Sequence, residues 1–435
     1  MKTKSIFFAV ILTFQLSACI LPAQTSGGLE KTENNAAKAL SSDKANLAST
    51  QTTSPTATAV PTQTSVPPTP TPVAFGPGLQ DFPSGINPLT GSSVQNPELL
   101  KLPAVLISIT NFPPSARPQS GLSYASWVYE LYISEGMTRF LSVFYGDYPK
   151  LAKPSQPLPV STVLAENVTA TPAAVKVDAE IPSAMIGPIR SGRLPYAYIR
   201  DFYRSSCLVY AGATVQIRNK LKGCSLIFGS DEGNINSAML DVTKLQTLAE
   251  TNLVPNSPFN YTGNSFTEIA PPNGLPASQL DIFYSYLNQG QWLFDEATGK
   301  YLKFEDFADG SGKFRPMTDR LNGQQLAYSN VIVLYAEHTV LDPYIIDVSL
   351  GSGERGKAVI FRDGQKYNAV WTTMNGEYEK ETGMRRPIRF EDEAGNPFPL
   401  KPGQSWVHLF TPYAYVEDKT AGVWLLRFVA PAGTK

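Results

Sequence analysis

A predicted β-hairpin constrains the fold of this chain more than any other feature. Trp127–Ser134 and Met137–Tyr145 are apolar runs of strand length. Glu135-Gly136 lies between them and predicts a two-residue turn, because glycine tolerates a positive φ. Two strands joined this tightly must pair with each other, so this stretch predicts a hairpin inside an apolar core.

The register of the hairpin would place a carboxylate beside a guanidinium. If the turn is tight, Ser134 pairs with Met137 and Tyr132 pairs with Arg139. Glu130 and Arg139 would then lie on one face of the hairpin as diagonal neighbours.

The elements around the hairpin predict a mixed α/β domain. Pro103–Thr110 is a short apolar run with β-branched residues and predicts a buried strand. The loop at 111–121 contains three prolines, which interrupt both ladders and helices. Further along the chain, the apolar spacing predicts a strand at Ala184–Ile189, a helix at Leu194–Arg204, a strand at Cys207–Ala211 and a helix from Thr214 to Lys222. Strand, helix and strand in this order predict one βαβ unit.

The second half of the chain predicts mostly strands. Ser278–Asn288 has the spacing of a short amphipathic helix, and Gln291–Asp295 with Lys300–Phe304 predicts a hairpin. Short strands with turns at steady spacing follow at Val331–Ala336, Ile345–Leu350, Ala358–Arg362, Asn368–Thr372, Pro387–Phe390, Trp406–Phe410 and Val423–Phe428. The prediction is an α+β protein with a mixed α/β N-terminal domain at 79–265 and a β-rich C-terminal domain at 266–435.

The N-terminus predicts export and lipid anchoring. Lys2 and Lys4 precede the apolar run Ile6–Phe14, which is too short to span a bilayer and suits a signal peptide. This run leads to Leu-Ser-Ala-Cys, which resembles the lipobox of bacterial lipoproteins. We expect residues 1–18 to be a signal peptide and Cys19 to be acylated, which would anchor the protein to the outer face of the cell membrane, or to the outer membrane if the cell has two. The alternative is an ordinary signal peptide with an unrelated cysteine.

Two segments have the composition of unstructured chain. Residues 19–78 are rich in Pro, Thr and Ser and cannot bury enough apolar area to offset chain entropy, so they predict a tether between membrane and domain. Residues 149–182 are a similar insertion within the N-terminal domain.

Composition excludes several classes of function. Charged residues are 17% of the chain and the formal net charge is −1, whereas a nucleic-acid binder needs a basic surface. The two histidines, His338 and His408, are far apart in sequence, which argues against a histidine-based metal site or catalytic relay. We therefore expect no metal, no cofactor and no nucleic-acid partner.

Polar residues of two stretches, 111–139 and 186–193, form the candidate binding site. Guanidinium groups bind carboxylates and phosphates through two hydrogen bonds, and Ser, Thr and Gln add directional donors. An anionic ligand is therefore the expected partner. The candidate ligand-binding residues are Arg117, Gln119, Ser120, Glu130, Thr138, Arg139, Arg190, Ser191 and Arg193. The alternative is that the arginines pair with Glu130, Glu135 and Asp201 and hold loops against the sheet.

An enzymatic role has one weak candidate, Glu130, as the acid or base of a cell-wall-active enzyme. Paired carboxylates are needed for glycoside cleavage. Glu130 and Glu135 stand five apart, so strand alternation would direct them to opposite faces. Catalysis is therefore not expected, and a purely structural scaffold is the remaining alternative.

The other cysteines permit a disulfide. Cys207 and Cys224 remain if Cys19 is acylated, and an exported chain can keep a bridge oxidised. Their Cα atoms would have to lie within about 7 Å. Two buried thiols are the alternative.

Several long motifs resemble a known family. NPLTG, ARPQSGL, EGMTRF and IGPIRSGR in the first half, with NVIVLYAEH, GKAVIFRDGQKYNAVW and PGQSWVHLF in the second, are similar to the YerB-type bacterial lipoproteins, which carry the DUF3048 N-terminal and C-terminal domains. The resemblance implies a lipid-anchored extracytoplasmic protein without a defined activity.

The chain also departs from that family's pattern. Thr110, Tyr210 and Phe259 stand where the resemblance leads us to expect one acidic residue and two histidines. If those groups serve catalysis in relatives, this chain has lost it, whereas the arginines are present. The leading function is therefore non-catalytic binding of an anionic envelope component, or of a protein partner, through an arginine-rich face.

Overall fold

The computed structural model describes residues 74–149, 185–221 and 223–435. The predicted signal peptide, Cys19, nearly all of the tether and nearly all of the insertion lie outside the described residues. Those that are described belong to one compact unit, Thr69–Lys435. Within these ranges, no helix has the length and apolar character needed to cross a membrane.

Strands and short helices alternate in the first half. The strands are β1 (Ile86–Asn87), β2 (Ser92–Ser93), β3 (Val105–Thr110), β4 (Trp127–Ser134), β5 (Met137–Phe144), β6 (Met185–Ile186), β7 (Cys207–Tyr210), β8 (Ser225–Leu226) and β9 (Leu240–Asp241). The α-helices are α1 (Tyr196–Phe202), α2 (Val215–Leu221) and α3 (Lys244–Asn252).

The second half consists mainly of strands. They are β10 (Leu275–Ser285), β11 (Asn288–Asp295), β12 (Lys300–Asp306), β13 (Phe314–Pro316), β14 (Ala327–Tyr328), β15 (Asn330–Tyr335), β16 (His338–Asp342), β17 (Ile345–Val348), β18 (Arg355–Arg362), β19 (Gln365–Thr372), β20 (Arg389–Glu391), β21 (Ser405–Phe410), β22 (Tyr415–Thr420) and β23 (Gly422–Arg427), with one helix, α4 (Glu377–Thr382). The predicted α+β class is confirmed.

One central sheet includes strands from both halves of the chain. Its strands lie in the order β8-β7-β3-β5-β4-β21-β15-β18-β19-β20, with β4 and β21 parallel. A second sheet forms around β10, which pairs with β11 and with β23. The predicted division at residue 265 therefore falls between segments that share a hydrogen-bonded sheet, and independent domains stay a prediction.

The two faces of the central sheet bury different cores. On its inner face, Val128 and Phe140 belong to a core with Leu280 and Trp292 of the second sheet. On its helix face, Tyr129 and Leu141 of the hairpin belong to a core with residues of α1 and α2. Both faces are covered, which explains why β4 is buried at every position.

The predicted hairpin forms, but its register differs from the expectation. Glu135 and Gly136 adopt φ values of 52° and 73°, and Ser134 pairs with Met137. Tyr132, however, lies opposite Thr138 rather than Arg139. A β-bulge at Ile133 adds one residue to β4, and a one-residue slip exchanges the faces of the side chains. The predicted diagonal pairing of Glu130 with Arg139 is therefore wrong, since Arg139 lies opposite Leu131.

Two other predictions of local structure are wrong. Ser278–Asn288 is not a helix, because β10 extends over most of it and pairs on both sides. The predicted βαβ unit does not begin at 184–189, since β6 pairs with β9 and Ile189 bridges Ile109 of β3 in the antiparallel direction. The βαβ unit is instead formed by β7, α2 and β8, in which the two strands are parallel.

A disulfide links Cys207 of β7 to Cys224, just before β8. The two Cα atoms are 5.2 Å apart, within the usual range for a bridge. The bridge closes the segment that contains α2.

Candidate functional site

The predicted site residues lie on both faces of the central sheet and do not form one group. Arg139, Arg190 and Arg193 gather with Ser191 on the helix face, and we call these three arginines the arginine cluster. Glu130 and Thr138 point to the inner face. The bulge at Ile133 produces this separation, because it directs Arg139 away from Glu130.

Arg139 forms the floor of the arginine cluster. It is the third residue of β5 and is only 6% exposed. Its Nη1 donates to the carbonyl and to the hydroxyl of Ser191, each at 2.9 Å. The guanidinium therefore has neutral partners at one nitrogen, while its Nε is buried without a hydrogen-bond partner.

The loop that carries the other two arginines is held by backbone hydrogen bonds to the sheet. The N–H of Thr110 donates to Pro188, the N–H of Arg190 donates to Ser108, and the N–H of Ala211 donates to Arg190. The loop thus lies across the ends of β3 and β7. Because its backbone is fixed at both sides, the half-buried side chains of Arg190 and Arg193 are held near Arg139.

The arginine cluster carries positive charge that no acidic group balances. Within the described ranges, no carboxylate forms an ion pair with Arg139, Arg190 or Arg193. Burial lowers the pKa of Arg139 to about 9, and repulsion from Arg193 and Arg190 contributes to this shift. Burial likewise lowers the pKa of Arg190 and of Arg193. Each charge is therefore less stable here than in water, which is the electrostatic condition for anion binding.

A tyrosine lies behind the arginines. The Tyr196 hydroxyl shares a hydrogen bond of 3.1 Å with Ser108 Oγ, and Ser108 Oγ also donates to the Ser191 carbonyl at 3.4 Å. Burial raises the pKa of Tyr196, so its hydroxyl is neutral and cannot serve as the missing counter-charge. The cluster thus keeps two buried guanidinium nitrogens without a hydrogen-bond partner, Nε of Arg139 and Nε of Arg193, and its charge is unbalanced.

Glu130 belongs to a second group, the interior cluster, which also contains Thr138, Lys303, Trp406 and His408. Thr138 Oγ1 donates to one carboxylate oxygen of Glu130 at 2.8 Å, and Trp406 Nε1 donates to the other at 3.0 Å. His408 Nδ1 lies 3.3 Å from the same second oxygen. Both oxygens of Glu130 are therefore occupied by partners within the protein.

Lys303 is the cation of the interior cluster. Its Nζ lies 4.0 Å from Glu130 and over the rings of Trp292 and Trp406, at 4.3 and 4.4 Å from their centroids. Burial lowers the pKa of Lys303 to about 8, although Glu130 and Glu305 oppose the shift. Burial also holds the pKa of His408 well below its usual value, so this ring is neutral.

Arg117 forms ion pairs in the interior and is separate from the arginine cluster. Its Nε lies 3.2 Å from Glu305 and its Nη1 lies 3.1 Å from Asp306. Gln119 donates from Nε2 to the Thr110 carbonyl, and Ser120 donates from Oγ to the Met185 carbonyl at 2.6 Å. These three predicted residues hold the proline-rich loop in place.

The space beside the interior cluster is too small for a ligand. Asn111, Arg117, Glu130 and Lys303 are among the residues that line a cavity of about 10 Å³, which is the room of a single water molecule. Glu135 lies in the turn, where Lys435 approaches it at 4.0 Å, and does not pair with Glu130. In the described part of the chain, no three His, Cys, Asp or Glu side chains are arranged to hold a metal ion.

The sequence pointed to the arginines and to Glu130, but not to several residues that surround them. Lys303 and His408 were not expected in a polar group, because each lies in an ordinary strand far from the hairpin in sequence. Tyr196 fits the apolar spacing of a helix and gave no sign of contact with Ser108. The alternation of Tyr301, Lys303 and Glu305 along β12 was the one available signal, since these side chains share a face.

Comparisons with known proteins support the fold. Residues 89–156 match the N-terminal domain of the protein family of unknown function DUF3048, and residues 280–407 match its C-terminal domain. The putative lipoprotein YerB of Bacillus subtilis (strain 168) is 24% identical over 340 residues, which cover 74% of this chain and 85% of that protein. The crystal structure of YerB from Bacillus subtilis superposes with a TM-score of 0.52 at 21% identity, covering 74% of this chain and 95% of that one. This likeness supports the fold alone.

Proposed function

We propose a function from the premise that this chain is a DUF3048 protein, with both the N-terminal and the C-terminal domain of that family. The proposal is that it is a lipid-anchored extracytoplasmic protein and that it binds an anionic envelope component at its arginine cluster. The proposed role is binding without catalysis. A protein partner that presents a carboxylate or phosphate is the alternative ligand for the same surface.

The buried guanidinium of Arg139 carries the proposal. A charge taken out of water is unfavourable by several kcal/mol unless a partner of opposite charge compensates it. Among the described residues, the hydrogen-bond partners of Arg139 are a hydroxyl and a carbonyl, and two further arginines crowd it. An anion bound between Arg139, Arg190 and Arg193 would supply the missing charge.

The chemistry of the cluster favours an oxyanion. Guanidinium groups donate through pairs of parallel N–H bonds, which match the oxygens of a phosphate or a carboxylate. Arg190 already donates from Nη2 to Asn236 at 3.1 Å, so its orientation is partly set before a ligand arrives. A planar or tetrahedral oxyanion would therefore meet donors that need little reordering.

The anchor supports an envelope ligand. Cys19 follows a signal-peptide pattern, and the related YerB is named a putative lipoprotein. Acylation at Cys19 would hold the arginine cluster within reach of anionic polymers and lipids of the envelope, with each buried CH₂ of the acyl chains contributing about 0.8 kcal/mol to membrane attachment.

Calorimetric titration with purified anionic wall fragments tests the proposal. We expect heat of binding for the wild type, and its loss in Arg139→Gln and Arg190→Gln, because each variant removes one guanidinium from the cluster. Arg355→Gln is the matched control, since it removes the same charge from a half-exposed arginine of β18. The control should bind like the wild type.

The alternatives predict other results. A scaffold would give no heat with any anion, and both cluster variants would be less stable than the wild type. A cell-wall enzyme would release products from the fragments and would lose this activity in Glu130→Gln. Either result would overturn binding without catalysis as the function.

A further inference from the structure

Exposed apolar side chains lie beside the arginine cluster. Phe228 is 69% exposed and Ile235 is 59% exposed, although both are large and apolar. They belong to the segment 226–237, and Val215, at the start of α2, is also exposed. Isolated exposed apolar residues are common, but a group of them at one site indicates an interaction surface.

Contacts in the structure connect these residues to the arginines. Asn236, next to Ile235, accepts the hydrogen bond from Arg190 Nη2. The Gly192 N–H donates to the Gly212 carbonyl, and a β-carbon built on Gly212 would lie 3.6 Å from the ring of Phe228. The loop with the arginines and the segment with the apolar side chains therefore form one continuous surface, which we call the amphipathic patch.

We propose that the amphipathic patch docks on the membrane surface, with the headgroup of an anionic lipid at the arginine cluster and Phe228 and Ile235 among the acyl chains. This inference rests on the proposed function, because it names the source of the anion. Charge complementarity selects this occupant: the arginines lack counter-charges from the part of the chain that the structure describes, and anionic lipids offer phosphates directly above an apolar layer.

The geometry of the patch favours a lipid over a soluble anion. A soluble phosphate or a wall polymer would use the arginines but would leave Phe228 and Ile235 in water. Between Cys19 and Ala74, at about 3.3 Å per extended residue, the chain is long enough to let the folded part lie on the membrane. One surface thus meets both the polar and the apolar layers of a lipid bilayer.

Acidic residues in the same segment oppose docking and provide a test. Asp231 accepts from the Gly233 N–H and from no cluster arginine, and Glu232 is exposed beside it. Their charges would face the anionic surface. Glu232→Gln should therefore strengthen binding to anionic vesicles, by about fivefold if one charge near the surface contributes as basic residues do.

Vesicle co-sedimentation tests the inference. The probe is the chain from residue 19 with Cys19→Ser, so that no acyl chain anchors it. Vesicles of phosphatidylcholine alone are compared with vesicles that also contain phosphatidylglycerol. Phe228→Ser with Ile235→Ser removes the apolar part of the patch, and Leu287→Ser with Leu341→Ser is the matched control on other exposed apolar residues. Calorimetry with glycerol 3-phosphate measures the arginine cluster without a bilayer.

We expect binding to the anionic vesicles only, a decrease of about tenfold or more in the Phe228/Ile235 variant, and no change in its binding of glycerol 3-phosphate. If glycerol 3-phosphate or wall fragments bind but vesicles do not, the docking inference is wrong and the proposed function stands. If no anion binds in any form, both fail. Equal binding to the two kinds of vesicle, or full binding by the Phe228/Ile235 variant, would also overturn the inference.

Discussion

Two buried arginines of this protein have different surroundings, and their substitution should therefore change stability by very different amounts. Arg117 pairs with Glu305 and Asp306, whereas Arg139 has no acidic partner in the described part of the chain. We expect Arg117→Met to lower the free energy of unfolding by about 3–5 kcal/mol, because it removes the guanidinium that lies between the buried carboxylates of Glu305 and Asp306.

Arg139→Met should change the free energy of unfolding by less than about 1 kcal/mol, since it removes an unfavourable buried charge together with two hydrogen bonds. Urea unfolding of both variants measures the contrast. A loss in Arg139→Met as large as that in Arg117→Met would mean that Arg139 stabilises the fold, and would argue against an anion site.

Lys303 should make stability depend on pH in the alkaline range. Its pKa is about 8 in the folded protein, against 10.5 for an ordinary lysine. Between these values the unfolded chain binds more protons than the folded chain, so the free energy of unfolding rises as pH increases. The rise attributable to Lys303 is at most about 3 kcal/mol.

Tyrosines also titrate at alkaline pH and affect stability there. Subtracting the free energy of unfolding of Lys303→Met from that of the wild type at each pH isolates the contribution of Lys303. Unfolding in urea at a series of pH values from 7 to about 10.5 provides both profiles. A difference that stays constant across this range would show that Lys303 titrates normally in the folded state.

The residues of the site could be predicted by type but not by grouping. Arg139, Arg190 and Arg193 were expected in one site because guanidiniums bind anions. Glu130 was expected with them because a regular hairpin would place it beside Arg139. The register in fact depends on a single extra residue, Ile133, which looks like any other apolar strand residue in the sequence.

Elements were predictable where the local pattern and the tertiary environment agree. The hairpin of β4 and β5 has the predicted turn and nearly the predicted ends, because Gly136 and the apolar runs give the same signal. The helix predicted at Ser278–Asn288 was wrong because its apolar spacing also fits a strand that is buried on alternate residues, as β10 is. The choice between helix and strand depends on pairing with β11 and β23. These strands lie outside the segment, so its own sequence does not reveal the pairing.

The turn of the hairpin also offers a test of how it packs on β10. A β-carbon on Gly136 would collide with the side chain of Ser285, whereas one on Gly310 would meet no atom within 4 Å. Both glycines have a positive φ, at 73° and 78°. Gly310→Ala should therefore lower the free energy of unfolding by about 1–2 kcal/mol through the backbone alone.

Gly136→Ala should cost a further 1–3 kcal/mol or so, because the extra methyl group overpacks the contact with Ser285. Thermal unfolding of the two variants, measured side by side, compares the two glycines. Equal losses would show that the turn does not contact β10 as closely as the structure indicates.

On the scale of the whole molecule, the two halves are joined through the centre of the fold. Strand β4 pairs with β21, Trp406 donates to Glu130, and Arg117 pairs with Asp306. We expect one cooperative thermal transition for the described residues, because separating the halves would expose these groups together.

Differential scanning calorimetry of the chain with Cys19→Ser measures this cooperativity. Val128→Ala in the first half and Val407→Ala in the second should both shift the same transition, since both residues are fully buried. Two transitions, each moved by only one of the substitutions, would support independently folding domains instead. Family motifs located both halves in the sequence, but long-range pairing between them has no local pattern and could not be predicted.

The disulfide between Cys207 and Cys224 lets the oxidation state of these two cysteines report whether a molecule has been exported. Thiols stay reduced in most cytoplasmic compartments and become oxidised outside them. Chains that never left the cytoplasm would react with a thiol label at both positions, whereas exported chains would not. Labelling cells with a maleimide after acid quenching would thus count retained and secreted molecules separately, without any assay of what the protein binds.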